Sequence, residues 1–456
     1  MSAVQALTQE LTDAGVAGVM ISWADNNGIP RSRIVPVAAL PEVAVTGVGI
    51  ASLFAVFDSS DAITFTHPGL ATPSGDVRLI PELDRLVRLV GQPALAWAPG
   101  RQVAADGGPW PYDQRGVLVR QVEQLAEAGL TALVGYEMEF AVSSGAAGDE
   151  IVPAHPGPAY SPHALLAIDE FVAAVLRDAA ANGLRIGQLH AEYGPAQLEL
   201  SLAATDPVTA ADNQLLARQT LQAAARAHGL RLSFAPLPST SSAGNGWHIH
   251  SSIWRDGHNL LAGRELLAGA SGKGPGTEGA SYIAGLLRDL PALAAVTAPS
   301  QGSLARLRPG YFAGAFAFWG VENREAPLRY VPGSALLGAD HANVELKTSD
   351  ASANPYLALA ALLATGAAGM DDELPLAPPV QSDPGTWSES ERTEHGITAL
   401  PGNQAEQEAA LIANPRLPAV LGKELLGAFV AVRRCDAAAA TDRDLDEVLA
   451  GLRWRY

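Results

Sequence analysis

Residues 131–142 read T-A-L-V-G-Y-E-M-E-F-A-V. As a strand, the segment sends Ala132, Val134, Tyr136, Met138, Phe140 and Val142 to one face, because successive side chains alternate. Glu137 and Glu139 share the other face with Leu133 and Gly135. Two carboxylates at i and i+2 repel unless water or a cation lies between them, and alone such a pair reads as an exposed strand face. Three more segments repeat the pattern. Residues 188–202, Q-L-H-A-E-Y-G-P-A-Q-L-E-L-S-L, form two strands around a G-P-A turn, with His190 and Glu192 on one face of the first and Glu199 opposite the apolar leucines of the second. Residues 246–254, G-W-H-I-H-S-S-I-W, set His248, His250 and Ser252 against Trp247, Ile249 and Ile253. Residues 343–347, N-V-E-L-K, set Glu345 and Lys347 against Val344 and Leu346. A lone His on an apolar strand is ordinarily a satisfied core residue, but several carboxylates and a His converging on one sheet face describe a divalent-metal site. Mostly oxygen donors favour Mg2+ or Mn2+ over Zn2+.

The elements that must position these groups are legible from caps and punctuation. Asp113 caps a helix over about 114–128 closed by Gly129; Ser161-Pro162 opens a second running to about Gly183; Asp206-Pro207 opens a third reaching His228, with Gly229 behind it. Strands lie between them, so the large domain reads as α+β. Before them come short strands, including a hairpin of 16–24 and 30–36 across Asp25–Gly28. The Gly- and Pro-rich stretch 97–112 marks a boundary, giving domains 1–104 and 105–456, with a helical tail from about 403. No phosphate loop of the G-x-x-x-x-G-K-[ST] type exists: Ser271–Gly274 and Gly47–Ser52 read as turns. If phosphates are bound, metal and arginines must hold them, and arginines are dense in 306–329.

Composition narrows the class. The 456 residues carry 30 Lys+Arg against 48 Asp+Glu, a net charge of −18, which argues against nucleic acid or an anionic membrane as partner. The single cysteine, Cys435, rules out an internal disulfide or thiolate cluster and suggests a reducing compartment. The start, M-S-A-V-Q-A-L-T-Q-E, lacks a signal-peptide pattern, and no apolar run is long enough to span a bilayer. The expectation is a soluble cytoplasmic protein.

In order, G-Y-E-M-E-F, H-A-E-Y-G-P-A-Q-L-E, G-N-G-W-H-I-H-S-S-I-W, R-L-R-P-G-Y, E-N-R-E-A-P-L-R and N-V-E-L-K-T-S-D-A-S-A-N-P-Y-L-A resemble the motifs of the class I glutamine synthetase family. The resemblance implies a small N-terminal β-grasp domain and a large catalytic domain whose curved antiparallel sheet forms a funnel, in subunits stacked as a dodecamer. It implies two to three Mg2+ or Mn2+ per site, ATP and glutamate. By motif, Glu139, Glu192 and Glu199 hold the first metal, and Glu137, His248 and Glu345 the second. Arg306 grips the glutamate α-carboxylate, and Gly244 lies along the substrate. Arg324 and Arg329 face the transferring phosphate as catalytic groups, with His250 and Ser252 beside ATP.

The departures concern the amine. The family's flap reads P-G-Y-E, where the Glu meets ammonium; here Phe312 takes that place. The family's N-terminal F-D-G-S-S, whose Asp also contacts ammonium, aligns with G-I-A-S-L-F (Gly49–Phe54), and Asp58 is the nearest alternative anion. Lys347 replaces an Arg that touches glutamate, and Ala243 replaces an Asn. Losing the anions and gaining an apolar wall points to ATP-dependent ligation of the glutamate γ-carboxylate to an organic amine, ethanolamine-like or a polyamine. A true glutamine synthetase using ammonium and a catalytically silent relative are the alternatives.

Overall fold

The computed structural model describes residues 2–145, 147–263 and 274–456, so Ser271–Lys273 of one expected turn lie outside the described residues. The hairpin forms as β1 (Gly18–Ala24) and β2 (Pro30–Pro36), paired Gly18 to Pro36. With β3 (Val48–Ala51), β4 (Asp76–Pro81), β5 (Val87–Arg88) and β6 (Leu95–Ala104) it makes a sheet of order β2-β1-β6-β4-β3, with β5 also on β6 and β1 parallel to β6. Its own core, around Val19, Ile21, Val77, Leu79 and Ala96, is separate from the larger one.

The second sheet contains β7 (Thr131–Ser144), β8 (Ile186–Ala191), β9 (Gln197–Thr205), β10 (Leu230–Ser233), β11 (Trp247–Arg255) and β12 (His258–Asn259). After the two-residue β13 (Phe316–Ala317), which pairs elsewhere, come β14 (Trp319–Val321), β15 (Leu328–Val331) and β16 (Asn343–Leu346). The order is β14-β15-β16-β11-β7-β9-β8, and β13 pairs with β17 (Thr398–Ala399). One face is the main core: Tyr136 and Trp247 stack at 4.7 Å between ring centroids, adding about 1 kcal/mol beyond the area they bury. The helices Pro207–Ala227, Thr277–Thr297 and Pro355–Asp371 supply buried residues to the same core.

The β1–β2 turn is fastened to this second layer. Asn354 Nδ2 donates to the carbonyls of Ala24 (3.0 Å) and Asp25 (2.9 Å), and Arg218 Nη1 donates to that of Gly28 (2.9 Å). A Cβ on Gly28 would lie 2.3 Å from the Ala353 carbonyl oxygen, so only glycine lets the turn seat.

The helices beginning at Gln114 and Pro207 start behind Asp113 and Asp206, whose side chains accept from Gly116 and Thr209. Two expectations are corrected. The helix expected from 162 to 183 is two, Pro162–Leu166 and Asp169–Ala181, because Ile168 leaves helical geometry (φ −137°) and is buried at the break. Gly47–Ser52 is not a turn: after Gly47 ends the helix Leu40–Thr46 at φ 64°, Val48–Ala51 pairs antiparallel with β4.

Candidate active site

The register of the second sheet assembles the site. His248 lies opposite Glu137, Glu199 opposite Glu139, and His190 opposite Glu199. Glu345 lies opposite His250, and Arg329 opposite Glu345. Cross-strand partners share a face, so residues from six strands meet on the face away from the Tyr136–Trp247 stack.

Three groups bring ligand atoms within 4.8 Å of one another: Glu137, Glu199 and His248; Glu137, His250 and Glu345; and His190, Glu192 and Glu199. These cut across the two sets implied by resemblance. His190 and His250 sit among the carboxylates, whereas Glu139 lies in none of the three groups. Glu139 accepts instead from Gly246 N (2.7 Å) and Gln197 Nε2 (3.3 Å), with His248 Nε2 at 3.9 Å. His248 Nδ1 lies 3.3 Å from Glu345 and 3.5 Å from Glu137, and Glu192 accepts from Tyr160 OH (2.7 Å).

The electrostatics describe a cluster short of positive charge. Burial, then Glu137, Glu139 and Glu192, push the Glu199 carboxyl up to about 9. Burial also opposes ionisation of Glu137, but His248 and His250 outweigh it and hold that carboxyl far below the usual range. Glu345, likewise buried, is held down at about 2 by Lys347, His250 and His248. His250 is pushed up to about 9 against its burial, by Glu137 and Glu345. Its Nδ1 pairs with Asn343 Oδ1 (2.9 Å), leaving the buried Nε2 without a hydrogen-bond partner, 3.3 Å from Glu137. Carboxylate oxygens with a few imidazoles, buried nitrogens of His190 and His250 without hydrogen-bond partners, and a carboxyl whose ionisation is opposed by burial and by neighbouring acids, fit hard divalent ions.

The cationic side is built beside it. Arg329 Nη1 donates to Glu345 Oε2 (2.8 Å) and Lys347 Nζ to Glu345 Oε1 (3.4 Å). Arg306, 5% exposed, donates to the Ser349 carbonyl (3.0 Å) and lies 3.6 Å from Asp350. A Cβ on Gly244 would stand 2.6 Å from the Arg306 Cγ, and one on Gly246 2.4 Å from the His248 Nε2. The G-N-G lead into β11 thus gives room to one arginine and one imidazole. Arg324 is exposed, and Ser252 accepts from the Trp254 indole (2.8 Å).

Phe312 is 62% exposed with φ 53°. Asp58 is buried and its Oδ1 accepts from Ser60 N and Ala62 N (both 2.8 Å), so that oxygen holds its own turn. The sequence reading left out Tyr160, Gln197 and Asn343. Gln197 stands inside a quoted motif and Asn343 opens another; Tyr160 follows an irregular Pro- and Gly-rich stretch with no period to flag it. Among the described residues no helix is long and apolar enough to cross a membrane.

The arrangement has counterparts among known proteins. A gamma-glutamylpolyamine synthetase, GlnA3, of Streptomyces coelicolor is 42% identical over 453 residues, spanning 99% of this chain and 96% of that one. A glutamine synthetase of Pyrococcus abyssi is 31% identical over 85% of this chain and 83% of its own. A crystal structure described as a novel glutamine synthase homolog superposes with a TM-score of 0.84 at 30% identity, covering 97% of this chain and 99% of that one. Residues 111–446 match the glutamine synthetase catalytic domain, the span that contains every strand of the acidic sheet. With that span, the register of its acids and these likenesses together, the chain belongs to the glutamine synthetase family.

Proposed function

We propose that the protein ligates the γ-carboxylate of glutamate to an organic amine at the expense of ATP, with a polyamine as the leading amine class. The reading is carried by one contrast: the acid, imidazole and arginine groups of the sheet are all present, while the flap offers Phe312 in place of a carboxylate. The 42% identity to a relative named as a gamma-glutamylpolyamine synthetase supports the choice of amine.

In this reading Glu139, Glu192 and Glu199 hold one divalent ion and Glu137, His248 and Glu345 another, Mg2+ or Mn2+. Such ions, when bound, offset phosphate charge that would otherwise repel the incoming carboxylate. Arg306, fixed over Gly244, binds the glutamate α-carboxylate, and Lys347 stands near it. Arg324 and Arg329 stabilise the phosphoryl group as a γ-carboxylate oxygen attacks the γ-phosphorus and ADP leaves. His250 and Ser252 flank the nucleotide. The amine nitrogen then attacks the γ-carbonyl carbon, phosphate departs and the ammonium formed loses its proton. On the same reading residues 1–104 form the β-grasp unit and 105–456 the catalytic unit, and the enzyme works in the cytoplasm as a homo-oligomer, dodecameric in the family's manner.

The test is glutamate-dependent phosphate release with ATP and Mg2+ across ammonium, ethanolamine, putrescine and spermine. Turnover with an organic amine well above that with ammonium is expected. Equal or better turnover with ammonium refutes the reading in favour of a true glutamine synthetase, and no turnover with any of them favours a silent relative.

A further inference from the structure

The flap that carries Phe312 has little packing of its own. It leaves the helix Gln301–Arg306, and Tyr311 and Phe312 are 60% and 62% exposed. Phe312 nevertheless sits at φ 53°, a left-handed conformation that a bulky side chain rarely holds without external support. That support comes from Glu325, which is 6% exposed. Its Oε1 accepts from Gly310 N (3.1 Å) and its Oε2 from Phe312 N (2.9 Å), so each oxygen of one carboxylate grips a flap amide. Hydrogen bonds to an ionised acceptor are the stronger kind.

The grip is itself anchored. Asn323 Oδ1 accepts from Glu325 N (3.0 Å), while Asn323 Nδ2 donates to the carbonyls of Val380 (2.8 Å) and Ser382 (3.1 Å). Two residues beyond Glu325, the Pro327 carbonyl accepts from Lys347 N (2.9 Å), and Gly314 at the far end of the flap lies so close that a Cβ there would be 2.8 Å from Pro327 Cα. The segment 323–327 therefore ties the flap to the strand bearing Glu345.

We propose that Glu325 is a positioning residue that latches the flap over the amine side of the site, so that Phe312 walls it and water is kept out. The latch rests on the ligase reading for its effect on turnover, but not for its effect on the flap amides. When the flap is loose and no amine is present, water attacks the γ-carbonyl carbon of γ-glutamyl phosphate. The bond from that carbon to the phosphate oxygen breaks, phosphate leaves, a proton passes to solvent and glutamate is regenerated; the net change is hydrolysis of ATP to ADP and phosphate.

Two variants of the full chain test this, Glu325→Ala and Glu325→Gln, each compared with the parent by circular dichroism and by hydrogen exchange of the peptide covering 307–314. In Glu325→Ala, exchange at the Gly310 and Phe312 amides should quicken at least tenfold. Glutamate-dependent phosphate release without amine should rise at least threefold, and the yield of γ-glutamylhydroxamate per phosphate with hydroxylamine should fall. Glu325→Gln, whose amide keeps one acceptor oxygen, should lie between. Flap exchange within twofold of the parent in a folded Glu325→Ala overturns the latch whatever the activity. Faster exchange with unchanged amine-free phosphate release overturns its role in excluding water. If no amine raises the parent's turnover above its amine-free rate, the ligase reading fails, and the exchange measurement still decides the latch.

Discussion

Replacing Gly246 by alanine tests the construction of the proposed metal site without substituting any proposed ligand. The added Cβ would lie 2.4 Å from His248 Nε2 and 2.9 Å from Cδ2, where non-bonded atoms keep more than 3 Å apart. Gly246 cannot yield easily, because its N–H is held by Glu139 Oε2 (2.7 Å) and its carbonyl accepts from Glu139 N (3.1 Å). The imidazole must therefore recede by roughly 1 Å, while metal–ligand bonds tolerate only about 0.2 Å. Its retreat is obstructed by Glu345 and Glu137, 3.3 and 3.5 Å from Nδ1. Disturbing the orientation of a ligand typically costs about 10–100-fold in metal affinity, or about 1.4–2.7 kcal/mol. The assay is Mn2+ titration by calorimetry, alongside phosphate release as a function of Mn2+. Gly451→Ala is the matched control, since a Cβ there meets nothing within 4 Å. A folded Gly246→Ala protein that binds Mn2+ within twofold of the parent would refute both the ligand role of His248 and the steric argument.

Two further outcomes follow from other parts of the molecule. Phe312→Glu should raise turnover with ammonium relative to organic amines by about tenfold, because a restored carboxylate is worth on the order of 1–3 kcal/mol to a cation; unchanged selectivity in the amine panel would detach Phe312 from the amine pocket. Asp113→Asn probes pH. Burial pushes the Asp113 carboxyl up to about 6, above its ordinary 3.8, so the native state binds the proton more tightly than the unfolded chain. Stability then falls as pH rises from about 4 through about 6 and stays lower above that. Asparagine can keep the cap on Gly116 without ionising, so the variant's melting temperature should gain on the parent's as pH rises from about 4 through about 6 and hold that gain above it. Parallel melting profiles would show that the carboxyl's ionisation carries no such cost.

The strand face bearing the acids was legible because its two signals agree: alternation along Thr131–Ser144 and the same alternation in three later segments. Which segments become neighbours is a matter of register, and register is long-range. His190 reaches Glu199 only because β8 folds back on β9, and His250 meets Glu345 only because β11 and β16 pair. Hence the acids were legible as a set, while which of them lie side by side depended on strand pairing. The broken helix near Ile168 and the strand at Val48–Ala51 escaped for a related reason: a tertiary partner overrode a local pattern of caps and glycines. Glu325 was legible only as a letter in a motif, since its partners are backbone amides of a loop and leave no trace in side-chain spacing.

The direct pairing of Glu139 with Glu199 also bears on how this protein can be improved. A carboxylate ladder of this kind is a deliberate local conflict, and the easiest way to relieve it is to delete an acid. Selection for thermostability in chelated buffer would therefore enrich neutral residues at Glu199, yielding sturdier proteins that, if Glu199 is a metal ligand as proposed, have lost their catalytic purpose. Directed evolution of this scaffold should be run with divalent cation present and with turnover, not melting temperature, as the trait selected.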